Sequence, residues 1–230
     1  MKKYEFTGET KQVELLFRTA TLHRIRAVVE FGLVKIGDLG GWIEKEENLS
    51  HDGKAWVCGN AKVWGNAKVC GNAKVCGNAE VCGNAKVCGN AEVCGNAEVC
   101  GNAEVWGNAK VCGNAEVWGN AKVWGNAKVW GNAKVCGNAE VCGNAEVFSA
   151  SHVLVIGAIG SRNDFTTFFR DKDGEITVKC GCFLGKIDRF LEKVASTHGN
   201  SKYALVYRAA VEVAKLQIDL TGEAPEMDEE

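Results

Sequence analysis

From Ala55 to Asn144 the chain repeats one hexapeptide fifteen times, Ala-(Lys/Glu)-Val-(Cys/Trp)-Gly-Asn, with no insertion and no shift of register; Trp56 alone departs from Lys or Glu at the second position. Ala, Val and Gly share one parity and the Lys/Glu and Cys/Trp positions share the other, so an extended segment turns a thin apolar face inward. Six residues do not match the 3.6-residue turn of a helix, and a glycine every sixth residue costs a helix roughly 1 kcal/mol each relative to alanine. The Gly-Asn pair is a corner instead, because both residues tolerate positive φ. A short strand and a two-residue corner, iterated at constant period, coil into a parallel β-helix.

The placing of an aliphatic residue four positions before a small one, Val57 with Ala61, Val63 with Ala67 and onward to Val141 with Ala145, resembles the left-handed hexapeptide-repeat family. That resemblance implies three hexads per triangular coil, with residues eighteen apart stacked and a prism about 24 Å long at ~4.8 Å per strand. Valines then fill the interior, alanines sit where walls converge, and corner asparagines form amide ladders between coils. The expected fold class is mainly β: a left-handed parallel β-helix over 55–150, an N-terminal cap over 1–54, a small C-terminal α+β domain over 151–220 and an acidic, disordered tail over 221–230.

Hydrophobic residues make up 46% of the chain and there is one proline, Pro225, which is the composition of an ordinary folded protein. No apolar run reaches the ~20 residues of a membrane span, and the start of the chain, Met1 to Phe6, lacks the apolar core of a secretory signal. A cytoplasmic location and no membrane partner are the expectation. Eight lysines and seven glutamates between Ala55 and Ala150 leave a net charge of only +1 there, which points to no nucleic-acid partner. Ten of the twelve cysteines occupy one repeat position, where they alternate with Trp, so they read as substitutions rather than a disulfide framework. Stacked cysteines have Cα atoms near ~4.8 Å, within disulfide range, but parallel side chains suit the torsions poorly, and reduced thiols are expected.

Taking residues eighteen apart, the outward columns are Cys58, Cys76, Cys94, Cys112, Trp130 and Phe148; Trp64, Cys82, Cys100, Trp118 and Cys136; and Cys70, Cys88, Trp106, Trp124 and Cys142. These apolar rows are either stacking ladders alone or also faces for a protein partner or self-association. A flat column of thiols does not converge tetrahedrally and no histidine interrupts the repeats, so neither metal nor cofactor is expected.

The residues before the repeats include Phe6, Leu15, Leu16 and Phe17, and they form the expected lid over one raw solenoid end. Ile43 and Leu49, six apart, start an imperfect first coil. After the repeats, Val153 to Ile156 reads as a strand. Phe165–Phe169 and Ile176–Phe183 form a hairpin, and amphipathic helices follow over Lys186–His198, where Ile187, Phe190, Leu191 and Val194 share a face, and over Ser201–Ile218. The second helix is expected to bury a stripe of Tyr203, Val206, Tyr207, Ala210, Val213 and Ala214. The lid motifs Thr21 to Ala27 and Gly37 to Gly41, the hexads, and the tail motifs Ile159-Gly160-Ser161-Arg162-Asn163, Phe165 to Phe168, Cys180 to Phe183 and Thr197 to Gly199 together resemble an uncharacterised bacterial and phage family of hexapeptide-repeat proteins. The resemblance implies a mobile-element origin and lends no reaction.

Polar residues concentrate in the C-terminal region. The loop donors Ser161, Arg162 and Asn163 with Thr166, Thr167 and Arg170 suit an anionic small ligand such as a phosphate or nucleotide, or else the loop merely closes the last coil. Cys180 or Cys182 with His198 is either a nucleophile and its base or ordinary packing. No catalytic residue is assigned. Three functions stay open: a rigid scaffold or interaction protein with the C-terminal domain as binding head, a phage counter-defence protein sequestering a nucleotide-like ligand, or an enzyme. Hexapeptide acyltransferases place a catalytic histidine on a solenoid loop, and these repeats have neither loop nor histidine.

Overall fold

The computed structural model describes residues 2–15 and 18–221. Leu16 and Phe17 of the expected lid, and the expected tail beyond Thr221, lie outside the described residues. Strands β1 (Tyr4–Glu14), β2 (Thr19–Ala27) and β3 (Leu39–Ile43) precede sixteen two-residue rungs, β4 (Trp56–Val57) through β19 (Glu146–Val147). Strands β20 (Val153–Ile159), β21 (Asp164–Arg170), β22 (Ile176–Cys180) and β23 (Phe183–Lys186) follow, then helices α1 (Ile187–His198) and α2 (Lys202–Gln217).

The rungs form three parallel walls, and each rung pairs with the one eighteen residues on, as in Val75 with Val93 and Val93 with Val111. The structure is thus a parallel β-solenoid with three hexads per coil. Backbone bonding explains why one hexad suffices as a unit. Lys86, Cys88 and Asn90 donate their amides to Ala103, Val105 and Gly107 of the next coil at 2.9, 2.9 and 2.7 Å, and Ala85 closes the corner onto Cys82 at 3.2 Å. Every repeat valine and alanine is fully buried, and together they make one continuous core. At each corner the glycine has positive φ, and the asparagine donates Nδ2 to Oδ1 of the asparagine one coil on, as in Asn84 to Asn102 at 2.9 Å.

The first coil is two residues longer than the rest: Ile43 pairs with Val63 and Leu49 with Val69, twenty apart. This is the imperfect start expected of Ile43 and Leu49. Gly40 and Gly41 are required there, since a Cβ on Gly41 would lie 2.6 Å from the Ala61 carbonyl. β1 and β2 form an antiparallel hairpin that β3 joins to one wall. Tyr4 and Ile25 are buried in the solenoid core, and Lys3 Nζ donates to the Ala55 carbonyl at 2.7 Å.

At the other end β20 to β23 form an antiparallel sheet in that order. Val153, Val155 and Phe169 pack against the solenoid core. Leu154, Ile156, Phe168 and Val178, of opposite parity, face α1 and α2. The layers are therefore solenoid end, sheet and helices. The sheet is pinned at its turn, where Lys172 donates its amide to the Asn144 carbonyl at 3.0 Å.

Candidate functional site

The outward columns are less open than expected from sequence. Trp64, Trp130 and Cys142 are buried, most of the remaining members are half-buried, and Trp118 and Cys136 are exposed. The reason is cover from both ends. The hairpin residues Ala20 and Leu22 pack on Trp64, while Phe148 stacks on Trp130 with ring centroids 5.7 Å apart. Elsewhere the rows act as ladders: Trp106 and Trp124 stack at 5.1 Å with planes 2° apart, and Lys179 Nζ lies 5.7 Å from the Trp124 centroid.

The expectation of reduced thiols is corrected. Cys70–Cys88 and Cys94–Cys112 are disulfides, with Cα separations of 4.8 and 4.6 Å. The coil spacing falls inside the disulfide range, and rotation of the side chains about the stacked backbones brings the sulfurs together, which overrides the parallel Cβ directions. Cys58 with Cys76, and Cys82 with Cys100, are hydrogen-bonded thiol pairs on the same spacing.

The C-terminal candidates fall in three places. Ser161, Arg162 and Asn163 are exposed on the turn between β20 and β21, where Asn163 takes a left-handed φ of 52° and Gly181 leaves no room for a Cβ beside the Arg162 guanidinium. Thr166 is buried on the helix side and donates to Cys180 Sγ at 3.3 Å; that sulfur lies 3.9 Å from the Tyr207 hydroxyl. Burial first, and then the neighbouring Cys180, push the Tyr207 hydroxyl up to about 12. His198 stacks on Tyr207, with centroids 5.8 Å apart, while Cys182 is exposed in the turn before β23. Thr167 and Arg170 meet the solenoid: Thr167 Oγ1 accepts from the Glu140 amide at 3.0 Å, and the Arg170 guanidinium sits 4.8 Å from the Phe148 centroid. The exposed donors available to an anion are thus Ser161, Arg162 and Asn163.

Two features have no counterpart in the sequence reading. One is a cleft of about 230 Å³ between the last coil and the sheet, with Phe169 and Leu184 on its apolar side and Asp171 and Lys186 on its charged side. Asp171 accepts from Thr177 Oγ1 at 2.6 Å and from the amides of Asp173 and Glu175 at 3.0 and 3.2 Å, and it pairs with Lys186. The other is the outer face of α2. That helix buries Tyr207, Ala210 and Ala214 of the expected stripe, with Ala204 and Val211 in place of Val206 and Val213, and leaves Leu205, Val213 and Leu216 exposed at 59%, 49% and 90%. The sheet and α1 approach α2 on its small residues, so the bulkier aliphatic side chains are turned out.

Among the described residues no group of three or more His, Cys, Asp or Glu is placed to hold a metal ion, and no helix is long and apolar enough to cross a membrane. Comparison of the chain with protein-family models and with curated proteins finds no match.

Proposed function

We propose that the chain is a non-catalytic rigid spacer that carries a binding head at its C-terminal end, and that the head recognises a second copy of itself through the outer face of α2. The observation that carries this reading is the row Leu205, Val213 and Leu216, which stands exposed along one face of α2. Its charges support a two-fold, antiparallel pairing. Leu205 would then lie against Leu216, Lys202 against Asp219 and Arg208 against Glu212, so opposite charges meet on both flanks. α2 has 16 residues, about 24 Å, and a contact of that length buries only a few hundred Å² per partner. That size places the pairing at the weak, concentration-dependent end.

Rigidity follows from the continuous corner and backbone ladders, and no inserted loop breaks them between Ala55 and Asn144. The mobile-element setting is part of the proposal and rests on the sequence resemblance alone. Light scattering on the full chain over a concentration series tests the reading. The expected result is a monomer–dimer equilibrium in the micromolar range that Leu216→Glu abolishes while circular dichroism stays the same. A strict monomer at every concentration, or a dimer indifferent to Leu216→Glu, overturns it.

A further inference from the structure

Cys58, Cys76, Cys94 and Cys112 stand on successive rungs of one wall, since Val57, Val75, Val93 and Val111 pair in unbroken parallel register. The last two sulfurs are bridged and the first two are a hydrogen-bonded thiol pair. Four sulfurs in one file therefore hold one disulfide and two thiols. The other walls contain no such run: Cys70 and Cys88 are bounded by Ser50 and Trp106, and Cys82 and Cys100 by Trp64 and Trp118.

We infer that this column is a thiol–disulfide relay, in which the bridge moves rung by rung between Cys112 in the body of the solenoid and Cys58 beside the lid. In the first step the Cys76 thiolate attacks Cys94 Sγ. The bond between Cys76 and Cys94 forms as the bond between Cys94 and Cys112 breaks, and Cys112 leaves as a thiolate that takes up the proton Cys76 released. In the second step the Cys58 thiolate attacks Cys76 Sγ and releases Cys94. One disulfide is consumed and one formed at each step, so no outside oxidant or reductant enters. Exchange needs the attacking, central and leaving sulfurs roughly in line, and a straight ladder supplies that alignment along the rod axis. The Cys58 thiol is pushed up by its hydrogen bond with Cys76 and by burial, against the opposing charge of Lys74. At its outer end the relay presents Cys58, half-buried, to small-molecule thiols and disulfides.

The test uses the full chain carrying Cys82→Ser and Cys100→Ser, so that a link between tryptic peptides 75–86 and 87–110, with Cys88 still joined to peptide 69–74, reports the Cys76–Cys94 bridge. Protein oxidised to both the Cys58–Cys76 and Cys94–Cys112 bridges is treated with a substoichiometric phosphine, freed of it, held at about pH 8 and sampled over hours by acid quench, alkylation and mass spectrometry. Under argon with a chelator the middle bridge can then arise only by exchange, and a rate unchanged on dilution of the protein marks that exchange as internal. The expected result is that Cys76–Cys94 appears, about tenfold more slowly for each pH unit below the thiol range, while Cys70–Cys88 stays in place. Bridges confined to Cys58–Cys76 and Cys94–Cys112 throughout overturn the inference. So does equal scrambling of Cys70–Cys88, which would mark unfolding instead. A Cys58→Ser variant with the same circular dichroism isolates the first step and must still exchange.

Discussion

The hydroxyl of Thr167 accepts a hydrogen bond from the backbone amide of Glu140 at 3.0 Å, in the place where a further coil would have offered a carbonyl. Each earlier rung amide in that wall finds its carbonyl seventeen residues on, as Lys122 finds Ala139 at 2.8 Å. Glu140 has no such coil ahead of it, so a side chain of the terminal sheet satisfies the last amide. Thr167→Val keeps the shape and leaves that amide unpaired, at a cost of about 1–3 kcal/mol. Hydrogen exchange is expected to accelerate at Glu140 and across β21 while Lys122 stays protected, and Thr167→Ser should retain the wild-type pattern. Equal protection in the Val and Ser variants would reduce Thr167 to a packing residue.

Gly95 and Gly137 form a matched pair. Both have φ of 66°, but a Cβ on Gly95 would lie 2.9 Å from the amide nitrogen of Gly113 on the next coil, whereas a Cβ on Gly137 meets nothing within 4 Å. Gly→Ala at either position carries about 1–2 kcal/mol for the left-handed backbone. Gly95→Ala must in addition push two coils apart. Urea unfolding at unchanged slope is expected to show a clearly larger fall in midpoint for Gly95→Ala than for Gly137→Ala. Equal falls would mean that corner glycines serve backbone conformation alone and not coil spacing.

One wall stacks three like charges. Glu98 lies between Glu80 and Glu116, whose outer neighbours Lys62 and Lys134 pair with them at 2.6 and 2.8 Å. Glu98→Lys makes the file alternate and should stabilise by about 0.2–1 kcal/mol, because opposed charges directly across a sheet attract weakly. The gain should shrink between low salt and 1 M NaCl, where screening reaches a few ångströms. A salt-independent gain in melting temperature would point to helpful packing by the lysine stem and not to charge.

How far the sequence could be read depended on whether a residue's neighbours were set by period or by docking. Val93 had to lie inside and Asn96 at a corner, because parity and positive φ leave no other place for them, and both are found there. Ile187, Phe190, Leu191 and Val194 could be placed on the inner face of α1 because its opposite face is polar. α2 is legible only in part: Tyr207, Ala210 and Ala214 face inward as expected, but apolar residues surround the helix, so spacing alone does not say that Ala204 and Val211 face inward and Val206 and Val213 outward. Thr166 and Thr167 were grouped as one ligand set, yet alternate residues of β21 serve different layers, helices on one side and the solenoid on the other. Polarity does not mark a strand buried on both faces. The cysteine spacing was legible, but the side-chain rotation that joins Cys70 to Cys88 was not.

Asp171 yields the clearest dependence on pH. Burial pushes its carboxyl up, but Lys186, Thr177 and the amides of Glu175 and Asp173 outweigh burial and hold it below the ordinary range. A carboxylate whose folded value is depressed contributes stability that is complete above its unfolded value of about 3.9 and disappears as pH falls through the folded value. The wild-type urea midpoint should therefore decline steeply from about pH 5 downward. Asp171→Asn keeps the shape but sets an amide against Lys186, and at neutral pH it should be less stable by about 1–3 kcal/mol. The two curves are expected to converge as pH falls below the ordinary carboxylate range and through the depressed folded value, where the wild-type carboxylate takes up its proton. Parallel curves across the whole range would show that the turn from Arg170 to Glu175 is held by its backbone bonds and that the Asp171–Lys186 pair adds nothing.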